Sequence, residues 1–113
     1  MIARLWSAQT TPPQAPVYAE HLRSRVLPEL RAVDGYAGAM LLKRETSGEV
    51  ELTVITLWQS LESIRGFARD DLEAAVVAAE AATVLTRFDD RVRHCDVVVQ
   101  DDPVDRDGTG DIL

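Results

Sequence analysis

Leu52-Thr53-Val54-Ile55-Thr56-Leu57-Trp58-Gln59-Ser60-Leu61-Glu62 is the stretch that decides the fold. A β-branched, apolar run ends in a tryptophan, and a helix-start signal follows at once. The run favours a strand, because branched side chains sit well on a pleated surface. Ser60 puts a hydroxyl where it can cap the next helix, with Glu62 in the first turn. Trp58 therefore stands where strand gives way to helix, a place from which a large ring can line the mouth of a pocket.

Upstream, Tyr36 to Arg44 and Val50 to Trp58 read as two strands joined by Glu45-Thr46-Ser47-Gly48-Glu49, with Gly48 marking a hairpin. Before them, about Gln14 to Val33 reads as a helix. Tyr18, Leu22, Val26, Leu30 and Val33 recur every three or four residues and form one apolar stripe. Pro28 lies inside that pattern and removes the hydrogen bond to the carbonyl of Ser24, so a kink or a looser last turn is expected. Asp34-Gly35 ends the helix with the residue that takes a left-handed conformation cheaply. Residues 2–9 form a first strand, with Ile2, Arg4, Trp6 and Ala8 on one face and Ala3, Leu5 and Ser7 on the other; Thr10-Thr11-Pro12-Pro13 stops it.

Downstream, a second helix runs from about Leu61 to Ala68, burying Leu61, Ile64, Phe67 and Ala68. The alanine-rich stretch from Asp71 to Phe88 favours helix and is expected as one or two short pieces broken near residues 78–82, with Asp70-Asp71 capping it. Val92 to Gln100 is the last strand. The order β-α-β-β-α-β predicts an α+β fold: a ferredoxin-like plait with helices on one face of an antiparallel sheet. Its strands are apolar on both faces, with Leu52, Val54 and Trp58 opposite Ile55 and Leu57. Two helices cannot cover both faces. A homodimer packing sheet against sheet is the expected cover.

The chain has 113 residues, 46% hydrophobic and 27% charged, which suits one globular domain. Its net charge of −7 is uneven: residues 101–113 hold five aspartates against Arg106, a net of −4. Residues 1–100 are therefore read as the folded domain and 101–113 as an acidic tail. With no basic stripe, nucleic-acid binding is not expected. No apolar run approaches the ~18 residues of a membrane span, and Met1-Ile2-Ala3-Arg4-Leu5-Trp6 reads as a strand instead of a leader. A single cysteine, Cys95, fits a reducing compartment, so a cytoplasmic location is expected.

Candidate site residues follow from chemistry. His94 is the strand histidine placed to act as a general base, and Asp96 on the same face would raise its pKa. Trp58 can stack on an aromatic substrate. Trp6, on the first strand, is a second ring for packing or substrate. Tyr36 can donate a hydrogen bond into a pocket, and Arg87 or Arg93 can hold an anionic oxygen. His21, off the apolar stripe of the first helix, is expected in solvent. Two distant histidines and one cysteine do not make a metal site, and the glycines match no phosphate loop.

The opening Ile2-Ala3-Arg4-Leu5-Trp6, the helix end Val26-Leu27-Pro28 with Val33-Asp34-Gly35-Tyr36, the segment Thr56-Leu57-Trp58-Gln59-Ser60, and the close Arg87-Phe88-Asp89-Asp90 with Val92-Arg93-His94 resemble the antibiotic biosynthesis monooxygenase family of the dimeric α+β barrel superfamily. The resemblance covers about residues 1–99. It implies two identical plaits forming a barrel, a pocket between sheet and helices, and oxidation of an aromatic or polyketide-like molecule by oxygen without flavin, metal or other cofactor. Trp58 matches the tryptophan that such enzymes place in the pocket. Active relatives generally pair it with an asparagine, and this chain contains none. The haem-degrading branch uses a histidine on the second helix, and residues 61–86 contain none, so haem degradation is disfavoured. The alternative is a dimeric module that binds a small hydrophobic ligand or a partner without turning it over.

Overall fold

In the computed structural model, which describes residues 1–101 and 103, the sheet is built outward from the strand first quoted. Strand β1 (Ile2–Thr10) pairs antiparallel along its whole length with β3 (Glu49–Trp58), from Ile2 opposite Trp58 to Thr10 opposite Val50. On the other edge of β3 lies β2 (Tyr36–Thr46). The outer edge of β1 takes two short strands, β4 (Arg87–Phe88) opposite Ala8 and Gln9, and β5 (Arg93–Asp96) opposite Ile2 to Leu5. The order β2-β3-β1-β4/β5, antiparallel throughout, is the ferredoxin-like α+β plait.

The hairpin is tighter than the five-residue connection read from sequence. Thr46 pairs with Glu49, and only Ser47 (φ 51°) and Gly48 (φ 81°) turn the chain. Two positive φ angles define a type I′ turn, whose twist matches that of the strands it joins.

The first helical rod is one apolar stripe in three pieces: α1 (Ala15–His21), a π-helical turn (Leu22–Val26) and α2 (Leu27–Arg31). The loosening expected from Pro28 falls before the proline. The Leu27 N–H reaches back five residues to the Leu22 carbonyl, and Pro28 then opens α2, where its missing N–H is not needed. Gly35 ends the rod with φ 89°, and its Cα lies so close to the next helix that a Cβ would stand 2.0 Å from the Ser63 hydroxyl. Helix α3 (Leu61–Ala68) begins as anticipated, with the Ser63 N–H donating to the Ser60 hydroxyl oxygen at 3.2 Å.

Two expectations fail. The alanine-rich stretch is not mainly helical; only α4 (Ala79–Ala82) forms, where a break was expected. Its backbone groups are claimed from outside: the Val92 N–H donates to the Glu73 carbonyl, the Ala75 N–H to the Asp90 carbonyl, and Ala74 bridges Arg91. Tertiary partners override propensity here. Asp71 accordingly caps a turn, accepting from the Glu73 N–H and from Arg91, and starts no helix. The last strand is also not continuous over 92–100. Within that range only β5 forms among the described residues, and beyond Asp96 the Val97 N–H, bonded to the Met1 carbonyl, continues the pairing. Most of the acidic tail lies outside the described residues.

Alternation sorts the sheet into two faces. Val50, Leu52, Val54, Thr56 and Trp58 are buried under the helices. Cross-strand neighbours Leu5, Met40 and Ile55, with Leu42, Leu57 and Ala3, share the opposite face. No helix among the described residues covers it; Met40 is 48% exposed and Leu42 46%.

Candidate functional site

A cavity of about 70 Å³ lies between sheet and helices. The sheet contributes Arg4, Trp6, Val54 and Thr56; the first helical rod contributes Tyr18, His21 and Leu22; Phe67 comes from α3. The irregular segment closes one side with Val76, Val77 and Ala78. Among the described residues no aspartate or glutamate lines it.

Arg4 dominates the cavity. Strand alternation turns it inward beside Trp6 and Ala8, and it is only 4% exposed. Its guanidinium donates to the Leu72 carbonyl (2.5 Å), the Ala74 carbonyl (2.7 Å) and His94 Nε2 (2.9 Å), and lies 5.8 Å from the centre of the Phe67 ring. No carboxylate pairs with it among the described residues. Burial lowers its pKa from the ordinary value, yet an arginine so placed stays a cation. A buried cation without a counter-ion is costly and calls for an anion. Three of its five N–H bonds are used by the protein, which leaves donors for a ligand.

This contact also redefines His94. A guanidinium only donates, so Nε2 of His94 accepts and the ring is neutral, with its proton on Nδ1. Burial first, and the Arg4 charge second, push the His94 pKa below its usual value, with Glu73 acting weakly the other way. The expected upward push from Asp96 is absent from these causes. With its lone pair engaged by Arg4, His94 orients a cation and has no free site to take a proton.

The other expected residues separate. Trp6 lines the cavity, its Nε1–H donating to the Asp89 carbonyl at 2.8 Å and its ring tilted on Tyr18 and Phe88. Trp58 does not reach the cavity wall. It is fully buried, with Nε1–H on the Thr56 hydroxyl at 2.8 Å, stacked on Phe67 and met edge-on by Tyr36. A strand that faces the helices buries its last side chain under α3, so the ring supports Phe67 from behind. Tyr36 stays with that cluster, its phenol pushed up by burial and held back by Arg31. Arg87, opposite Gln9 on β4, and Arg93, opposite Leu5 on β5, are exposed and outside the cavity. His21 is half-buried on the cavity wall instead of solvated.

Arg4 was missed as a functional residue. Its signal was present: a charge in phase with Ile2, Trp6 and Ala8 on an inward strand face. Among the described residues no three His, Cys, Asp or Glu side chains cluster to hold a metal, and no helix is long and apolar enough to cross a membrane.

No family model and no curated protein matches this chain. Solved structures do. A candidate antibiotic biosynthesis monooxygenase from Bacillus cereus has a TM-score of 0.67 at 12% identity, covering 93% of this chain and 98% of that one. The haem degrader MhuD from Mycobacterium tuberculosis, solved with two haems in its active site, has a TM-score of 0.59 at 23% identity, over 90% of this chain and 100% of its own. A Nitrosomonas europaea protein of unknown function has a TM-score of 0.60 at 18% identity, over 92% and 95% of the two chains. Likeness at these identities establishes the fold. Residues 61–86 bring no imidazole to the cavity, so the second-helix iron ligand of the haem-degrading branch has no counterpart here.

Proposed function

We propose that this chain is an enzyme of the antibiotic biosynthesis monooxygenase type that oxidises a small aromatic or polyketide-like molecule with oxygen and no cofactor. Its substrate binds as a phenolate or enolate at Arg4. The observation that carries this is the buried guanidinium, without a carboxylate partner among the described residues, set in a mostly apolar cavity. A cation there favours the ionised substrate, and an electron-rich anion is the form able to react directly with oxygen. Arg4 thus takes the substrate-polarising role for which this chain has no asparagine. His94, Phe67 and, behind it, Trp58 hold the guanidinium in place.

A ring larger than the cavity is admitted by displacing Val76, Val77 and Ala78. Those residues follow the two carbonyls that Arg4 holds, Leu72 and Ala74, so an oxyanion competing for the guanidinium loosens the same segment. The proposal includes a homodimer in which a second copy covers the apolar sheet face carrying Leu5, Met40, Leu42 and Ile55.

Oxygen uptake with dihydroxynaphthalenes tests the activity. The wild type is expected to exceed the uncatalysed rate, Arg4→Met to lose that excess, and His94→Ala to keep most of it. A second reading, a binding module without turnover, is favoured by the engaged lone pair of His94, which leaves the sheet side of the cavity without a free base. Saturable anion binding with no oxygen uptake would select it.

A further inference from the structure

We propose that Tyr18 is a second anchor for the ligand, its hydroxyl donating to an uncharged oxygen of a molecule whose anionic oxygen lies at Arg4. This deepens the Arg4 assignment and rests on it. The substrate class it names is a small ring with two oxygen functions, one acidic and one a carbonyl or hydroxyl that accepts a hydrogen bond.

Tyr18 belongs to the apolar stripe of α1 and is 5% exposed, on the wall of the cavity. Its hydroxyl has no hydrogen-bond partner among the described residues. Yet among those residues no fully enclosed side-chain nitrogen or oxygen lacks a partner. The hydroxyl is therefore not sealed in protein, and Tyr18 stands on the cavity wall. The Tyr18 ring belongs to one apolar cluster with Leu22, Val54 and the Trp6 ring, a role a phenylalanine would fill equally. With no partner among the described residues, that hydroxyl is free to donate to an occupant of the cavity.

The ring is held by its neighbours, 6.1 Å from Trp6 and 5.9 Å from His21, centre to centre. Burial pushes the phenol up to about 12, so at neutral pH it is a donor and not a second anion. The cavity thus offers a charged donor from the sheet, a neutral donor from the helix and, among the described residues, no carboxylate. Two donors on the wall of one cavity, one charged and one neutral, fit a ligand that accepts at two positions. Tyr18 would then distinguish ligands by whether the far end carries an oxygen, since a site built to bond an oxygen rejects the analogue that lacks one.

The test uses two probes that share a carboxylate for Arg4 and differ only at the far end: 4-formylbenzoate and 4-methylbenzoate. Calorimetric affinities are measured for the wild type, Tyr18→Phe and Arg4→Met. Tyr18→Phe keeps the ring, so it preserves the contacts with Trp6 and His21. The expected result is that Tyr18→Phe weakens 4-formylbenzoate roughly 3- to 10-fold and leaves 4-methylbenzoate unchanged, whereas Arg4→Met weakens both. If Tyr18→Phe leaves the ratio of the two affinities at its wild-type value while Arg4→Met still weakens both, the Tyr18 anchor is overturned and the Arg4 site stands. If neither probe binds the wild type, the anion site is refuted and the Tyr18 anchor with it.

Discussion

Replacing Arg4 by methionine should damage ligand binding far more than folding. Methionine keeps most of the apolar stem and removes the charge. In the native protein the guanidinium makes three hydrogen bonds, to the Leu72 and Ala74 carbonyls and to His94. Bonds from a charged donor contribute roughly 1.5–3 kcal/mol each, and taking a cation out of water costs several kcal/mol when no counter-ion meets it. These terms largely offset each other. The variant is left with three acceptors lacking donors, but Leu72, Ala74 and His94 are only half-buried, so water can reach them. The net loss of stability should be about 1–2 kcal/mol, a fall in melting temperature on the order of 4–10 °C. Anion affinity has no such compensation. Removing one partner of a desolvated charge pair costs about 2–5 kcal/mol, on the order of 30-fold or more in Kd. Thermal unfolding by circular dichroism and titration with benzoate measure the two effects side by side. A folded Arg4→Met variant with wild-type benzoate affinity would refute the assignment of Arg4 as the anion holder.

Three further outcomes are expected. His94 has a folded-state pKa below its unfolded value of about 6.5, so its neutral form is favoured by folding. The stability this gives is complete above pH ~6.5 and is lost as pH falls through that value toward the lowered one; urea midpoints of His94→Gln should therefore decline less between about pH 8 and about pH 5 than those of the wild type, and parallel curves would sink the point. Trp58→Ala removes a fully buried ring stacked on Phe67 and should cost about 3–5 kcal/mol of unfolding free energy; a loss within ~0.5 kcal/mol, that of an ordinary surface substitution, would contradict the packing. Met40→Lys changes a side chain half-exposed in a single copy, so a monomer should tolerate it while a sheet-to-sheet dimer should dissociate, as read by sedimentation. An unchanged sedimentation coefficient would remove that interface.

Where local rules act alone, the chain could be read residue by residue. Ser60 announces α3 because an N-cap needs only its own hydroxyl and the N–H three residues on, and Gly48 and Gly35 mark turns whose positive φ angles few other residues accept. The alternation of Leu52, Val54 and Trp58 against Ile55 and Leu57 assigned strand faces correctly, since the pleat has a period of two. The alanine-rich stretch misled because propensity is worth tenths of a kcal/mol per residue, and bonds arriving from residues 90–92 outweigh it. His94 misled for a similar reason. Its chemistry as a base depends on which group meets Nε2, and that group lies ninety positions earlier in the chain.

Periodicity, caps and turn residues thus settled which segments are strands and helices and how they follow one another, because each depends on neighbours within a few bonds along the backbone. The site is a different matter. It exists only where β1, β5, α1 and the irregular segment converge, so that Arg4 meets His94, two carbonyls and Phe67 while Tyr18 faces the same space from the helix. A charge on an inward strand face could be seen in the one-dimensional pattern. That no carboxylate among the described residues answers it depends on distances through space, and only folding sets those.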